Sequence, residues 1–114
     1  MENMKKTKSP ADTRSFIDMV ADKQKWKVNP DNGFVDMLVV GLTKNYNRYG
    51  YFACPCREAD GTREKDVDII CPCAYCRPDQ KEYGHCYCWL FLVPDFFDTG
   101  KQPQYIPDRR QLNP

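Results

Sequence analysis

The sequence has no apolar segment long enough to cross a membrane. Its longest candidate covers residues 89–93, only five residues, whereas a membrane-spanning helix needs roughly 20. The first ten residues carry charge but no apolar stretch, so they do not resemble a secretory signal. The chain also lacks the basic excess typical of nucleic-acid binding, because 17 Lys and Arg are offset by 16 Asp and Glu. We therefore expect a cytoplasmic protein with neither membrane nor nucleic-acid partners.

Cysteine is absent from most of the chain, since all seven lie within residues 54–88. Secreted disulfide scaffolds usually carry an even number of cysteines, spread through a short chain behind a signal peptide. An odd, locally clustered set without such a signal is more typical of metal binding or redox chemistry in a reducing cytosol. At 114 residues, the chain should form one domain.

Two helices are predicted before the cysteines begin. The segment Ser9-Pro-Ala-Asp12 has the pattern of a capping box with proline at the first helical position, so a helix should follow to about Lys27. The pattern places Phe16, Met19, Val20 and Lys23 on one face of this helix. Asp31 should begin a second helix that ends at Gly50 and carries a core-facing apolar stripe. That stripe comprises Phe34, Val35, Leu38, Val39, Leu42 and Tyr46.

A short helix is predicted in the charged segment that follows the first two cysteines. This helix is expected at residues 62–70, with Val67 and Ile70 facing inward. The charged segment as a whole, residues 57–68, should face solvent.

Other short elements and two tails complete the prediction. A helical turn is expected at residues 78–83, while the apolar run at 89–93 fits either a strand or a buried helical turn. Residues 1–8 should be a disordered basic tail, and the proline-rich last twenty residues an extended tail that wraps the domain. The aromatic residues expected in the core and over any cofactor are Trp89, Phe91, Phe96 and Phe97. The predicted fold class is thus a small, mainly α single domain.

Six of the seven cysteines form three Cys-x-Cys pairs, and Cys76 stands alone. The pairs are Cys54/Cys56, Cys71/Cys73 and Cys86/Cys88. The two members of one pair are too close to form an unstrained disulfide with each other, so they serve different partners or share one metal. Pro55 and Pro72 fix φ within the first two pairs and indicate rigid loop corners rather than helix interior.

This pattern favours an iron–sulfur cluster over zinc. Structural zinc sites typically use two Cys-x₂₋₄-Cys knuckles, and only Cys73 and Cys76 form one. An iron–sulfur cluster takes four thiolates from the chain. Four ligands leave three of the seven cysteines. If both members of the middle pair and one member of each outer pair are ligands, the one cysteine left in each outer pair could close a disulfide beside the cluster. A zinc-binding interaction domain and an iron–sulfur electron-transfer module without disulfide chemistry are the alternatives.

The three pairs in this order, followed by Trp89-Leu-Phe-Leu, resemble the catalytic subunit of ferredoxin:thioredoxin reductase. Its signature is Cys-Pro-Cys, Cys-Pro-Cys and Cys-His-Cys before an apolar run. The resemblance covers about residues 46–94 of a domain expected at residues 9–114. The gaps between the pairs, the additional Cys76, and Tyr87 in place of the histidine are more similar to the prokaryotic single-chain relatives, the ferredoxin:disulfide reductases. The resemblance implies helices and Pro-rich loops wrapped around a [4Fe–4S] cluster beside a redox-active disulfide.

The resemblance also implies a role for each paired cysteine. Carried over to this sequence, the cluster ligands are Cys54, Cys71, Cys73 and Cys86. The redox disulfide is Cys56–Cys88, in which Cys56 attacks the target disulfide and Cys88 interacts with the cluster while the mixed disulfide exists. The flanking residues favour this division. Cys56 precedes a polar segment that should lie at the surface, where Arg57 can favour the ionised thiol, whereas Cys88 precedes an apolar run that should bury it.

Three further side chains near the pairs are candidates for supporting roles. His85 is the only histidine in the chain and a candidate catalytic residue, because a group that titrates near neutrality can supply a proton to a leaving thiolate. Tyr87 is a poor proton carrier at neutral pH and is expected to pack or hydrogen-bond. Cys76 is expected to be a spare buried thiol, with an additional ligand or redox thiol as the alternative.

The function implied by the resemblance is that of a ferredoxin-dependent disulfide reductase. Such an oxidoreductase takes electrons from ferredoxin one at a time and reduces thioredoxin, a glutaredoxin-like protein or another protein disulfide in two steps. The expected location is the cytoplasm of a prokaryote. The sequence leaves open whether a small second subunit or a homo-oligomer is involved.

Overall fold

The computed structural model describes residues 7–98, 100 and 104–107, and about half of this part of the chain is helical. The elements in chain order are α1 (Pro10–Gln24), β1 (Lys27–Val28), α2 (Asn32–Tyr49), α3 (Arg63–Asp66) with a following 3₁₀ turn (Val67–Ile69), α4 (Cys76–Tyr83) and β2 (Phe91–Leu92). The coarse prediction of a small, largely helical domain is therefore confirmed. Among the described residues, no helix is both long enough and apolar enough to span a membrane.

The predicted tails lie mostly outside the described residues. Of the basic tail, residues 1–6 are not described, but Lys8 is tied to α2 through its backbone. Its N–H donates to Asn47 Oδ1 at 2.8 Å, and its carbonyl accepts from Asn47 Nδ2 at 3.0 Å. Of the C-terminal tail, residues 104–107 have neither helix nor strand, and Ile106 is buried.

The predicted capping box starts α1, but the helix ends earlier than expected. The Asp12 N–H donates to Ser9 Oγ at 3.2 Å, and the Ser9 N–H donates to Asp12 Oδ2 at 3.0 Å. The helix stops at Gln24 because Lys25 adopts a left-handed conformation, φ 63°, and its N–H caps the last turn.

The buried face of α1 differs from the predicted one. Its buried residues are Thr13, Ile17, Val20 and Ala21, whereas Met19 is 55% exposed and Lys23 is exposed. A polar contact sets this rotation, since the Thr13 hydroxyl lies 2.6 Å from the Thr43 hydroxyl on α2. A pair of hydroxyl groups does not contribute to a pattern of apolar residues, so the sequence pattern did not reveal this contact. The predicted contribution of Phe16 is partly right, because its ring stacks on Phe52.

Helix α2 follows the prediction closely and forms the wall behind the cysteines. The Asp31 carboxylate accepts from the Phe34 N–H at 3.1 Å at the start, and Gly50 caps the end with a φ of 91°. The apolar stripe is buried at its four central positions, Val35, Leu38, Val39 and Leu42.

Gly41 brings the first cysteine pair directly onto α2. A methyl group at this position would lie only 2.8 Å from Pro55 Cβ, closer than side chains normally approach. The absence of a side chain therefore lets Pro55, between Cys54 and Cys56, pack on the helix backbone.

Gly41→Ala should lower the free energy of unfolding. Overpacking typically costs about 1–3 kcal/mol. The better helix propensity of alanine offsets about 1 kcal/mol of this. Urea denaturation of both proteins measures the difference. Gly33→Ala is the matched control in the same helix, because its methyl would make an ordinary 3.6 Å contact with Asp31 Oδ1. Equal effects of the two substitutions would contradict the close packing.

The charged segment between the first two pairs is not a purely solvated face. Helix α3 ends at Asp66, which is fully buried and accepts from the backbone N–H groups of Asp60 and Gly61 at 2.8 and 3.0 Å. The change from α-helix to 3₁₀ turn rotates the next residues. Val67 is consequently 66% exposed instead of facing inward, and Ile69 occupies the core in its place.

The apolar run after the last pair forms a strand. Strand β2 pairs antiparallel with β1, Lys27 opposite Leu92 and Val28 opposite Phe91. This pairing attaches the cysteine-rich half to the loop between α1 and α2. The predicted aromatic core holds for Phe91 and Phe96, whereas Phe97 is exposed.

Candidate active site

Six of the seven cysteines line one buried cavity. They are Cys54, Cys71, Cys73, Cys76, Cys86 and Cys88. Leu38 and Leu42 of α2 form one wall of this cavity, and Leu90 and Phe91 form another. The thiols therefore line one buried space whose other walls are mostly apolar, with Arg57 as the charged exception.

Backbone hydrogen bonds bring the first two pairs together. The Cys54 N–H donates to the Ile69 carbonyl at 2.8 Å, and the Cys71 N–H donates to the Phe52 carbonyl at 2.7 Å. Ala53 and Ile70 form an antiparallel bridge between these bonds. The two cysteine loops are thus held side by side although 14 residues separate the pairs.

The third pair lies on a tight turn that leads into β2. The Cys86 N–H donates to the Phe91 carbonyl at 3.0 Å, and the Trp89 N–H donates to the Cys86 carbonyl at 2.9 Å. Trp89 has a φ of 62°, a left-handed conformation that closes the turn. This geometry points the sulfur of Cys86 into the cavity, where it accepts from the Phe91 N–H at 3.4 Å.

The four predicted ligands fit a shared iron–sulfur cluster by their chemistry. Burial raises the pKa of Cys71, and it raises the pKa of Cys73 to about 11. In both cases nearby Cys54 and Cys86 raise the pKa further, because thiolates at these positions would repel one another. A cationic cluster would relieve that repulsion, and four thiolates are the donor set that it requires.

Within the described part of the chain, no three His, Cys, Asp or Glu side chains are grouped so that they could hold one ion. The ligand assignment to Cys54, Cys71, Cys73 and Cys86 stays a prediction.

A second group of thiols joins the cavity to the surface. Cys88 Sγ lies 2.8 Å from Cys54 Sγ, and Cys56 interacts with both of these cysteines. Cys56 is the one exposed cysteine of the seven, whereas Cys88 is buried, as their flanking residues predicted. All seven are free thiols in this structure, so the Cys56–Cys88 disulfide remains a prediction.

Negative charge in this group is favoured on Cys56. Hydrogen bonds from Cys54 and Cys88 lower the pKa of Cys56 to about 4, with a smaller contribution from the Arg57 cation. The complementary effect raises the pKa of Cys54 to about 11, since hydrogen bonding to Cys56 favours its protonated form. The pKa of Cys88 is raised by its hydrogen bonds to Cys54 and Cys56 and by burial. The exposed thiol is therefore the one best suited to act as a nucleophile.

A surface groove surrounds Cys56. It is lined by Phe34, Cys56, Tyr87, Cys88, Trp89, Tyr105 and Ile106. Cys88 thus borders both the groove and the buried cavity. Trp89 is half-buried and lines this groove, and its expected position over a cofactor stays a prediction.

Arg57 is a residue whose position the sequence did not reveal. The sequence predicted it on a solvated face, but it is buried and lines the cavity that holds six of the cysteines. Its Nη1 donates to Cys73 Sγ at 3.4 Å, and the guanidinium stacks 4.2 Å from the ring centre of Tyr87. Tyr87 therefore packs, as expected. An arginine in a charged segment normally indicates the surface, so no local signal could have identified this contact.

His85 is fully buried and bonded through both ring nitrogens. The Gln104 N–H donates to Nε2 at 3.3 Å, which places the ring proton on Nδ1, and Nδ1 donates to the Cys86 carbonyl at 2.9 Å. The ring packs edge-on against Trp89 and Phe96. These contacts hold the last cysteine turn in place. The proposed proton-transfer role of His85 stays a prediction.

Cys76 lies within the cavity rather than apart from it. It begins α4 and is buried, and its sulfur accepts from Gln80 Nε2 at 3.3 Å. It also donates a hydrogen bond to Cys86, which lowers the pKa of Cys86. This geometry makes Cys76 a neighbour of a predicted ligand.

Cys76→Ser should keep the cluster and most of the disulfide-reductase activity. The reason is that serine retains a hydroxyl donor toward Cys86 while the four predicted ligands stay unchanged. Iron analysis and the visible absorption spectrum measure the outcome. Loss of iron would place Cys76 among the ligands.

Comparisons with known proteins agree on one family. The model for the ferredoxin thioredoxin reductase catalytic beta chain matches residues 3–110. The chloroplastic ferredoxin-thioredoxin reductase catalytic chain of Arabidopsis thaliana is 31% identical over 100 residues, which cover 83% of this chain and 64% of that one. The catalytic chain of Porphyra purpurea is 32% identical over 87 residues, which cover 72% of this chain and 68% of that one. The catalytic chain of Synechocystis sp. is 29% identical over 102 residues, which cover 88% of this chain and 82% of that one. The chain thus spans slightly less than two thirds of the Arabidopsis relative.

Proposed function

This chain belongs to the family of ferredoxin-thioredoxin reductase catalytic chains, and on that premise we propose that it is an oxidoreductase that uses ferredoxin to reduce protein disulfides. The proposal includes a [4Fe–4S] cluster bound by Cys54, Cys71, Cys73 and Cys86. It also includes a redox-active Cys56–Cys88 disulfide.

The observation that carries the proposal is the position of Cys88. Its sulfur lies 2.8 Å from Cys54 Sγ, a predicted ligand, and it interacts with Cys56 at the surface. One side chain therefore links the buried thiols to the one exposed thiol. An electron-transfer module without disulfide chemistry would have no need of this link.

A cofactor is needed because ferredoxin delivers one electron at a time, whereas cleavage of a disulfide takes two. When bound, the cluster supplies one-electron storage between the two deliveries. Transfer of two electrons from ferredoxin to thioredoxin is energetically favourable. A difference of about 130 mV between a plant-type ferredoxin at ~−400 mV and thioredoxin at ~−270 mV corresponds to roughly 6 kcal/mol for two electrons.

The chain's own residues carry out the thiol exchange. The Cys56 thiolate attacks one sulfur of the target disulfide, forms a mixed disulfide, and displaces the second target sulfur as a thiolate that takes up a proton. Cys88 then attacks the Cys56 sulfur, which re-forms the Cys56–Cys88 disulfide and releases the other target thiol. The target gains two electrons and two protons in this sequence. Reduced ferredoxin supplies the two electrons that reopen the Cys56–Cys88 disulfide.

The proposed substrate is thioredoxin or a similar protein disulfide, and the proposed location is the cytoplasm of a prokaryote. The relatives are named catalytic chains, which favours a small second subunit as a partner. A homo-oligomer is the alternative arrangement, and the mass of the purified complex distinguishes the two.

The function is tested by coupling purified protein to reduced ferredoxin and oxidised thioredoxin. The expected result is two new thioredoxin thiols for every two ferredoxins oxidised, measured by thiol labelling. An iron–sulfur protein that accepts electrons but leaves thioredoxin oxidised would support the electron-transfer alternative and contradict the proposal. An assay without ferredoxin is the control.

A further inference from the structure

An arginine is buried among the predicted cluster ligands. The Arg57 side chain is 1% exposed, and so is almost completely withdrawn from water. A buried guanidinium is destabilising unless negative or hydrogen-bond-accepting groups surround it. The groups around Arg57 therefore indicate which negative or hydrogen-bond-accepting atoms its charge stabilises.

Two sulfur atoms lie within reach of one guanidinium nitrogen. Arg57 Nη1 is 3.4 Å from Cys73 Sγ and 3.9 Å from Cys54 Sγ. These cysteines belong to different pairs and lie 19 positions apart along the chain. The guanidinium consequently bridges the first and second cysteine loops.

The orientation of the guanidinium is fixed from other directions. Its centre lies 4.2 Å from the Tyr87 ring and 4.9 Å from the Tyr75 ring, which restrict its plane. Asp79 of α4 has a fully buried side chain, and its Oδ2 lies 4.0 Å from Arg57 Nη2. Nη2 of the guanidinium therefore faces Asp79, while Nη1 faces the sulfurs of Cys54 and Cys73.

We propose that Arg57 is a positioning residue that raises the reduction potential of the iron–sulfur cluster through Cys54 and Cys73, and that Asp79 limits this increase. The inference rests on the proposed function, because it assumes that these cysteines are ligands. A cation and N–H···S bonds next to ligand thiolates stabilise the reduced, more negative state of a cluster. A buried carboxylate near the same cation partly cancels that effect.

The two residues should therefore shift the potential in opposite directions. Arg57→Gln removes the charge but keeps an N–H donor, so the midpoint potential should become more negative. Asp79→Asn removes the opposing charge, so the potential should become more positive. Arg57→Lys keeps the charge and should restore most of the wild-type potential. A purely structural role, in which Arg57 only anchors its loop to α4, predicts no such opposite shifts.

The experiment is an optical redox titration of the purified, cluster-containing proteins. Arg63→Gln is the matched control, since Arg63 is exposed and its guanidinium lies over Tyr51, outside the cavity. It should leave the potential unchanged. Electron uptake from ferredoxin by Arg57→Gln should also fall by roughly 10-fold or more.

A wild-type potential in Arg57→Gln protein that retains its iron would overturn the proposal. If Arg57→Gln cannot hold the cluster, Asp79→Asn decides: a positive shift supports the proposal, and an unchanged or negative shift overturns it. A wild-type protein without iron and sulfide would instead refute the proposed function. The two failures are thus distinguishable.

Discussion

Cys88→Ser protein should form a stable covalent adduct with thioredoxin, and Cys56→Ser protein should form none. Cys56 is the one exposed cysteine of the seven, so it is the thiol that an external disulfide can reach. Cys88 is buried and its pKa is raised, so it does not attack an external disulfide first. Without Cys88, no internal thiol remains to resolve the mixed disulfide, because Cys54, the other cysteine beside Cys56, is a proposed cluster ligand.

The measurement uses thioredoxin that keeps one cysteine, activated as its thionitrobenzoate mixed disulfide. Attack by Cys56 releases thionitrobenzoate and leaves a linked pair of proteins, which mass spectrometry detects. The Cys56→Ser protein should show adduct at background level while it retains its iron. An adduct through Cys88 in Cys56→Ser, together with none in Cys88→Ser, would reverse the two roles.

Cys71→Ser should lose most of the bound iron. Anaerobically purified wild-type protein is expected to contain about four iron and four sulfide, held by four thiolates. Removal of one thiolate exposes an iron to solvent and destabilises the cluster. Iron and sulfide analysis, with the absorbance near roughly 400 nm that iron–sulfur proteins show, quantifies the loss.

Cys56→Ser is the matched control for this substitution, because it removes a neighbouring sulfur that is not a predicted ligand. It should retain its iron. Stoichiometric zinc without sulfide in the wild-type protein would favour the zinc-binding alternative. Equal iron loss in both variants would mean that the ligand assignment is wrong.

The sequence predicted those parts of the fold that depend on local signals. The capping box at Ser9, the start of α2 after Asp31 and its end at Gly50 involve contacts between residues close in the chain. The apolar stripe of α2 was also predicted, because one helix face determines it. The grouping of the cysteines was anticipated from their pairs.

Contacts between distant residues produced the differences. The rotation of α1 depends on the hydroxyl contact from Thr13 to Thr43, 30 positions apart. The outward turn of Val67 follows from the change to a 3₁₀ turn after Asp66, whose side chain is fully buried although a helical pattern treats it as solvent-facing. Arg57 is buried because α4 supplies Asp79, 22 positions away. Periodicity describes only one element at a time and cannot register such partners.

The pairing of β1 with β2 constrains the order in which the protein can mature. Asn29 bonds to the backbone of Trp89 and Leu90 at 2.9 Å in both cases, across about 60 positions of chain. The hairpin of α1 and α2 can form early during synthesis because its contacts are closer in sequence. The third cysteine pair is fixed only when residues 91–92 reach β1. The proposed cluster would therefore be inserted at a late stage of biogenesis, after ribosomal synthesis has passed the last cysteine.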